Sequence, residues 1–500
     1  MVNPVIRAIR KMFYFFMSLI LADILLAIVT ETAAKGNPYL YPIFTKVTLA
    51  LSEFLIGAIV VSFAILFIKY RKIIVPSVRE VVYNKQEDII YQPELISLKT
   101  RLITIFTIAL SAFTMILLGL APYTPKGFII DTITPFIISI LINGLVFPRI
   151  KPFKYIKPGE IKIVTINTRT PGATAEVLTL SHNPFSKRLI IINNTLPSNI
   201  IKTIEAHEIE HAKEHHALIK SIFNNLNYSL FFTTVELISI FIFAEVHPHH
   251  VSFTVNAGFV VKDLLFFVGL IFVYLLFLRV AESRADAAAF RASGSEAYNH
   301  MITLIRMFRE NSRRVDLRRV EVFPFSFRVS SFLDRVVHTS SREALRTGDA
   351  LSSLAQWEIP AVFAFFGSII EVLRLSSVNL VIFAFPLFFV GMFVVIVLVG
   401  LVFLPLTRSY GGTQKGRMNF SFLVSGLYLI TDVITLTVIY NFYLALLVLV
   451  SGLVLSFLIQ KSFLSDMRTA VKTFLITFAV YETINVSLFL IFLGSHLGVF

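Results

Sequence analysis

Cysteine is absent from the 500-residue chain, which excludes a disulfide framework, a thiolate nucleophile and a cysteine-ligated zinc site. Any metal bound here is held by nitrogen and oxygen alone. A glycine-rich phosphate loop is also missing, which disfavours a nucleotide-driven machine, and no internal repeat marks a repeat architecture. Acidic residues are outnumbered, 31 against 45 Lys and Arg, for a net charge of +14. That excess shows no aromatic-interleaved or nucleic-acid-binding pattern, so no nucleic-acid partner is expected.

What the chain does have is apolar sequence. Hydrophobic residues make up 56% of it and the mean hydropathy is +0.78, which sets a soluble globular fold aside. Runs of spanning length recur at Met12–Thr30, Val47–Ile68, Leu102–Ala121, Phe128–Phe147, Tyr228–Val246, Gly258–Leu278, Ile359–Leu373, Leu380–Leu404, Ser421–Tyr440, Phe442–Ile459 and Thr473–Phe492. The first run has a basic start and small residues after it, as a secretory signal has, but it is long and another span follows, so it reads as an uncleaved helix. The expected fold is mainly α, a polytopic helical membrane protein of about 11 spans. Its expected regions are an N-terminal membrane region, 1–147, and a polar region, 148–227. A transmembrane hairpin, 228–278, a second polar region, 279–358, and a C-terminal membrane region, 359–500, follow.

Eleven spans put residues 1–11, 69–101, 148–227, 279–358, 405–420 and 461–472 on one side. All Lys and Arg lie there except Lys35, Lys46, Lys126, Lys262 and Arg374, so this side, with the N-terminus, is expected to be cytoplasmic. The weakest span is Ile359–Leu373, which is short and carries Glu371; a re-entrant segment would flip the basic residues that follow it outward.

The chemistry concentrates in His207-Glu208-Ile209-Glu210-His211, an HExxH pentapeptide within a helical stretch, Ser198 to Lys220. Histidines at i and i+4 share one helix face and can grip one zinc ion; the intervening Glu208 is placed to act as general base on its water. The ordinary alternative is a solvated charged helix. A catalytic zinc needs a third protein ligand, and Glu282 in Arg279-Val280-Ala281-Glu282-Ser283-Arg284-Ala285-Asp286 is the candidate. Asp286 is one turn further on the same face, where it can accept the free N–H of a ligating imidazole; the alternative is an exposed acidic pair. With eleven spans, His207, His211 and Glu282 all fall on the cytoplasmic side.

These residues resemble the integral-membrane zinc peptidases typified by HtpX and the CaaX prenyl endopeptidase, a gluzincin group with HExxH followed by ExxxD. The likeness rests on Ala206–His211, the basic, histidine-bearing turn Lys213-Glu214-His215-His216, the block Glu282–Asp286 and the segment from Ala292, over roughly residues 100–348. It implies His207, His211 and Glu282 as zinc ligands, one ion per chain, Glu208 as base and Asp286 behind the ligands, within a small α+β zincin-like cytoplasmic domain split by the hairpin. Such enzymes often carry a Thr-His-Pro-Pro segment and a following Arg. The nearest counterpart here, Val337-His338-Thr339-Ser340-Ser341-Arg342, lacks the prolines and differs in spacing, and makes His338, Arg342 and Arg346 the candidates for transition-state stabilisation. The expected partners are the lipid bilayer and misfolded or membrane protein substrates, with membrane quality control favoured over CaaX processing.

Three runs before the motif, Ile161–Asn167, Ala175–Leu180 and Arg188–Asn193, have strand character and are separated by turn signals. They are expected to form a small antiparallel sheet with Arg188–Ile192 as the edge, which either takes an extended substrate as an added strand or belongs to a sheet that merely covers the zinc helices. Ser198 is the expected N-cap of the motif helix. The arginines from Arg306 to Arg319 fit a solvated helix face or anionic headgroups, and His247, His249 and His250 fit an interfacial loop. A second class of function is kept open by the acids within spans, Asp23, Glu53, Glu236, Glu371, Asp432 and Glu482: a cation transporter, or a metal-binding membrane protein without proteolytic activity, whose HExxH is regulatory or incidental. The ordinary alternative is that these acids face a polar interior, pair with neighbouring Tyr, Thr or backbone, or stay protonated.

Overall fold

The computed structural model describes residues 125–146, 161–166, 175–179, 188–193, 197–246, 257–314 and, with four single-residue gaps, 342–496, plus a few isolated positions before residue 44. The chain divides into two compact units. One comprises Met1–Val255 with Ala288–Val336, the other Asn256–Ala287 with Val337–Phe500. The expected spans Met12–Thr30, Val47–Ile68 and Leu102–Ala121 lie outside the described residues, apart from isolated positions in the first, and Asp23, Glu53 and the His247–His250 loop are outside them too.

In the first unit, helix α1 (Pro125–Val146) lies along α3 (His216–Val246). Both are strongly apolar, so what fixes their register is a strip of small polar residues at the contact. Thr132 Oγ1 bonds Thr233 Oγ1 at 3.3 Å, Ser139 Oγ donates to Asn225 Oδ1 at 3.3 Å, and Ser229 Oγ donates to the Thr132 carbonyl at 2.5 Å, all buried. Small polar side chains let helix backbones approach and hydrogen-bond where apolar packing alone has no preferred register.

Strands β1 (Ile161–Ile166), β2 (Ala175–Thr179) and β3 (Arg188–Asn193) form one sheet in the order β1-β3-β2. The expected antiparallel arrangement holds for β2 and β3 only; β1 runs parallel to β3, with Ile161 opposite Arg188. The expected edge is also corrected: β3 is the central strand and has both its backbone edges paired. Its uninterrupted Leu189-Ile190-Ile191-Ile192 suits a strand flanked on both sides, whereas β1 and β2 carry Lys162 and Glu176, charges that suit outer strands. Helix α2 (Ser198–Lys213) follows β3 directly and packs on β2 and β3.

Helix α4 (Ala257–Arg314) gives its first half to the second unit and its remainder to the first; Gly294, at φ 79°, interrupts its helical geometry. The second unit adds α5 (Arg342–Thr347), a 3₁₀ turn (Ala350–Ser353), α6 (Glu358–Val372), α7 (Val378–Phe403), a second 3₁₀ turn (Leu406–Tyr410), α8 (Gln414–Thr437), α9 (Phe442–Phe463) and α10 (Met467–His496). Its core is built around α8, whose Phe420, Val424 and Tyr428 meet Phe403, Leu351, Leu354 and Tyr481, with Leu276 and Val280 of α4 packed against them. Close approach depends on glycine where these helices cross. A Cβ on Gly400 would fall 2.4 Å from the Phe422 ring, and one on Gly426 would fall 2.5 Å from the Phe363 ring.

Among the described residues, four helices are long and apolar enough to cross a membrane: Ala257–Thr303, Asn379–Phe403, Gln414–Thr437 and Phe442–Phe463. Each coincides with an expected span. α7 and α9 present exposed apolar rows at i+3 and i+4 spacing, Phe383, Leu387, Val390, Val394 and Leu398 on one and Tyr443, Leu447, Val450, Val454 and Leu458 on the other. Lipid is the solvent in which such rows are not costly. The expected spans at Phe128–Phe147, Tyr228–Val246, Ile359–Leu373 and Thr473–Phe492 also fall on helices. The third of these, α6, has 15 residues, about 22 Å at 1.5 Å per residue. That is short of the roughly 30 Å hydrocarbon core. Its C-terminal end is answered by Lys262 of α4, whose Nζ donates to the Leu373 carbonyl at 3.1 Å and also to that of Leu375. A buried ammonium at a helix C-terminus satisfies carbonyls left without intrahelical partners.

Candidate metal centre

The motif helix starts on Pro197, not on a side-chain cap. Ile200 and Ile201 donate to the Pro197 carbonyl at 3.0 and 2.9 Å, and Ser198, the expected N-cap, is instead the first helical residue, with its side chain in solvent. The proline's φ of −56° and ψ of 142° already supply the extended geometry that a cap needs. Ile200, Thr203 and Ile204 form the buried stripe of α2. His207 and His211 continue that stripe at i+3 and i+4, so both imidazoles are directed inward and are half-buried. Glu208, one residue round the helix, is also half-buried.

The two Nε2 atoms converge to 3.1 Å, with ring centroids 4.8 Å apart. Nitrogens each roughly 2.0–2.1 Å from one tetrahedral ion would be separated by about 3.3 Å. His207, His211 and Glu282 are a group that could hold a metal ion, each offering one ligand atom. The donor set, two imidazoles and a carboxylate with no thiolate, fits zinc with a further coordination position left for water or substrate.

The end of α2 brings a further pair into play. Glu214 donates its N–H to the Glu210 carbonyl at 3.0 Å, His215 then adopts φ 57°, and α3 begins at His216. Histidine tolerates this left-handed conformation better than most non-glycine residues. The turn puts His216 Nδ1 2.9 Å from His211 Nδ1, and His216 Nε2 3.0 Å from Glu214 Oε2. Neither Glu214 nor His216 has a role in the sequence reading; the only signal there was the charged, histidine-bearing turn itself.

Glu282 is carried by α4, and the residues around it bind that helix into its unit. Three residues earlier, Arg279 Nη1 donates to Glu358 and Nη2 to the Ser353 carbonyl at 3.1 Å. Two residues later, Arg284 donates to the Ser462 carbonyl at 2.9 Å, and its guanidinium lies 4.5 Å from the centroid of the Phe463 ring. Asp286 is buried one turn beyond Glu282. Arg346 is exposed on α5, Arg342 opens that helix, and His338 lies outside the described residues.

Next to α5 sits a hub that sequence reasoning missed. The buried Asp349 carboxylate accepts from the Tyr410 hydroxyl, from Thr413 N at 2.9 Å and Oγ1 at 2.8 Å, and from Ser352 N at 3.3 Å. It caps the first 3₁₀ turn and holds the turn that opens α8, whose N-cap Thr413 in turn accepts from Gly416 N at 3.0 Å. Burial, and then the adjacent Asp349 carboxylate, push the Tyr410 phenol well above its ordinary range.

Two histidines one helical turn apart, a glutamate between them and a carboxylate from another helix make the donor set of a metal-dependent peptidase. Residues 183–358 match the family model of Peptidase family M48, the family that includes HtpX and the CaaX prenyl endopeptidases, and this stretch carries the HExxH and ExxxD motifs together. The match starts later than the resemblance in the sequence and runs to the first residue of α6. No curated protein and no solved structure matches the chain.

Proposed function

We propose that the chain is an integral-membrane zinc endopeptidase that hydrolyses peptide bonds at the cytoplasmic membrane face and serves membrane protein quality control. The observation that carries this reading is the convergence of the His207 and His211 Nε2 atoms in a group that also includes Glu282. Zinc held by these three residues would polarise the scissile carbonyl and lower the pKa of a bound water. Glu208, on the helix between the two histidines, would serve as the general base towards the attacking water and as the proton donor to the leaving amine. Asp286 would accept the free N–H of a ligand imidazole, the contact that fixes a ligating ring's tautomer and orientation. Arg342, Arg346 and His338 remain the candidates for stabilising the oxyanion.

The cytoplasmic placement is supported by the distribution of Lys and Arg, and the substrate class by an active site at the membrane surface, where misfolded membrane segments are within reach. Asp432, which a transport pathway would use, instead accepts from Asn485 Nδ2 at 2.8 Å and links α8 to α10. The test is cleavage of casein, and of the protein itself, by detergent-purified protein supplied with zinc, wild type beside Glu208→Gln. Cleavage by the wild type alone is expected; equal cleavage by both would remove Glu208 as the base.

A further inference from the structure

We propose that His216 and Glu214 are positioning residues for His211, joined to it in a hydrogen-bonded relay that fixes its tautomer and ring orientation. The inference rests on the reading of His207, His211 and Glu282 as a metal centre. His211 turns Nε2 towards the His207 Nε2, 3.1 Å away, which leaves Nδ1 as its outward nitrogen. A neutral imidazole has one donor and one acceptor nitrogen, and a ligating nitrogen must present its lone pair. Ligation through Nε2 therefore puts the His211 proton on Nδ1.

That proton meets His216 Nδ1 at 2.9 Å, which must then be an acceptor, so the proton of His216 sits on Nε2. Nε2 is 3.0 Å from Glu214 Oε2, an acceptor. Each donor along the chain thus faces an acceptor, and a single tautomer of each histidine satisfies both contacts. His216 is buried and Glu214 is partly open to solvent, so the inner bond is made where hydrogen bonds are strongest and the carboxylate keeps some hydration.

The backbone is arranged for this contact. Continued α-helix would place a residue five positions on about 140° round the axis from His211, facing away from it. The left-handed His215 ends α2 and swings His216 back onto the His211 ring. The relay thus depends on a break in the helix immediately after the motif, and partners of this kind typically contribute roughly 10–100-fold to metal affinity.

The test is zinc affinity, measured by competition between a chromophoric chelator and the metal-free full-length protein in detergent. His216→Phe, which keeps the ring volume and removes the acceptor, should weaken binding by about 10–100-fold and alter the ligand-field spectrum of the cobalt-substituted protein. His216→Gln, which restores an acceptor, should recover part of that loss, and Glu214→Ala should weaken binding less than His216→Phe. Wild-type affinity and spectrum in folded His216→Phe would overturn the relay; should that variant not fold, wild-type affinity in Glu214→Ala would do so. Failure of the wild-type protein to bind zinc at all would instead overturn the metal centre on which the relay rests.

Discussion

At the residue scale, Glu208 and Glu282 separate the chemistry from the binding. Glu208→Gln should keep its zinc and lose about 10²–10⁴-fold in cleavage rate, the usual worth of a general base, as read by metal analysis beside casein turnover. Glu282→Ala should lower zinc occupancy, and full occupancy would point to another third ligand. Gly416 shows how little room surrounds Asp349: a Cβ there would fall 1.8 Å from Oδ2. Gly416→Ala should therefore destabilise the protein by about 1–3 kcal/mol, measured as a fall in melting temperature in detergent. Tyr410 gives a pH signature. Its folded pKa lies above the unfolded value of 10.0, so the unfolded chain ionises first and stability should fall as pH rises through that value; melting at pH 8 and at pH 10.5 checks this, and a Tyr410→Phe protein should show less of the fall.

At the element scale, the segment carrying Glu282 is anchored from both ends of its motif, by Arg279 on Glu358 and the Ser353 carbonyl and by Arg284 on the Ser462 carbonyl and the Phe463 ring. Both side chains of the Arg279–Glu358 pair are largely buried, and removing one partner of such a pair typically costs roughly 3–5 kcal/mol because the other charge stays behind. Arg279→Met should thus lower both melting temperature and zinc affinity, while the double variant Arg279→Met with Glu358→Gln should recover much of the stability. Arg279 was legible in the sequence only as part of a motif; its partner is 79 residues away, a separation over which no local pattern operates. The sheet teaches the same lesson. Alternation and turn signals located all three strands, yet the order β1-β3-β2 and the parallel β1–β3 pairing reversed the expected edge, because strand order is set by what packs beside each strand.

On the scale of the whole molecule, the helices after residue 358 lie outside the family match yet pack in the same compact unit as the Glu282 half of α4. A chain truncated after residue 358 should therefore lose zinc binding as well as stability, which metal analysis of the purified fragment would show; a fragment that binds zinc like the intact chain would free the metal centre from the C-terminal helices. Sequence alone determined the apolar runs of spanning length, the lack of cysteine, the HExxH face and the candidate third ligand, because composition, apolar run length and helical spacing are local properties of the chain. Only the tertiary structure decided that Pro197 and not Ser198 starts the motif helix, that β3 is central, that Lys262 closes the end of α6, that Asp349 joins two turns and that His216 faces His211. Each of these is a contact between groups that must satisfy a buried donor or acceptor, and which group does so depends on how the backbone turns between them.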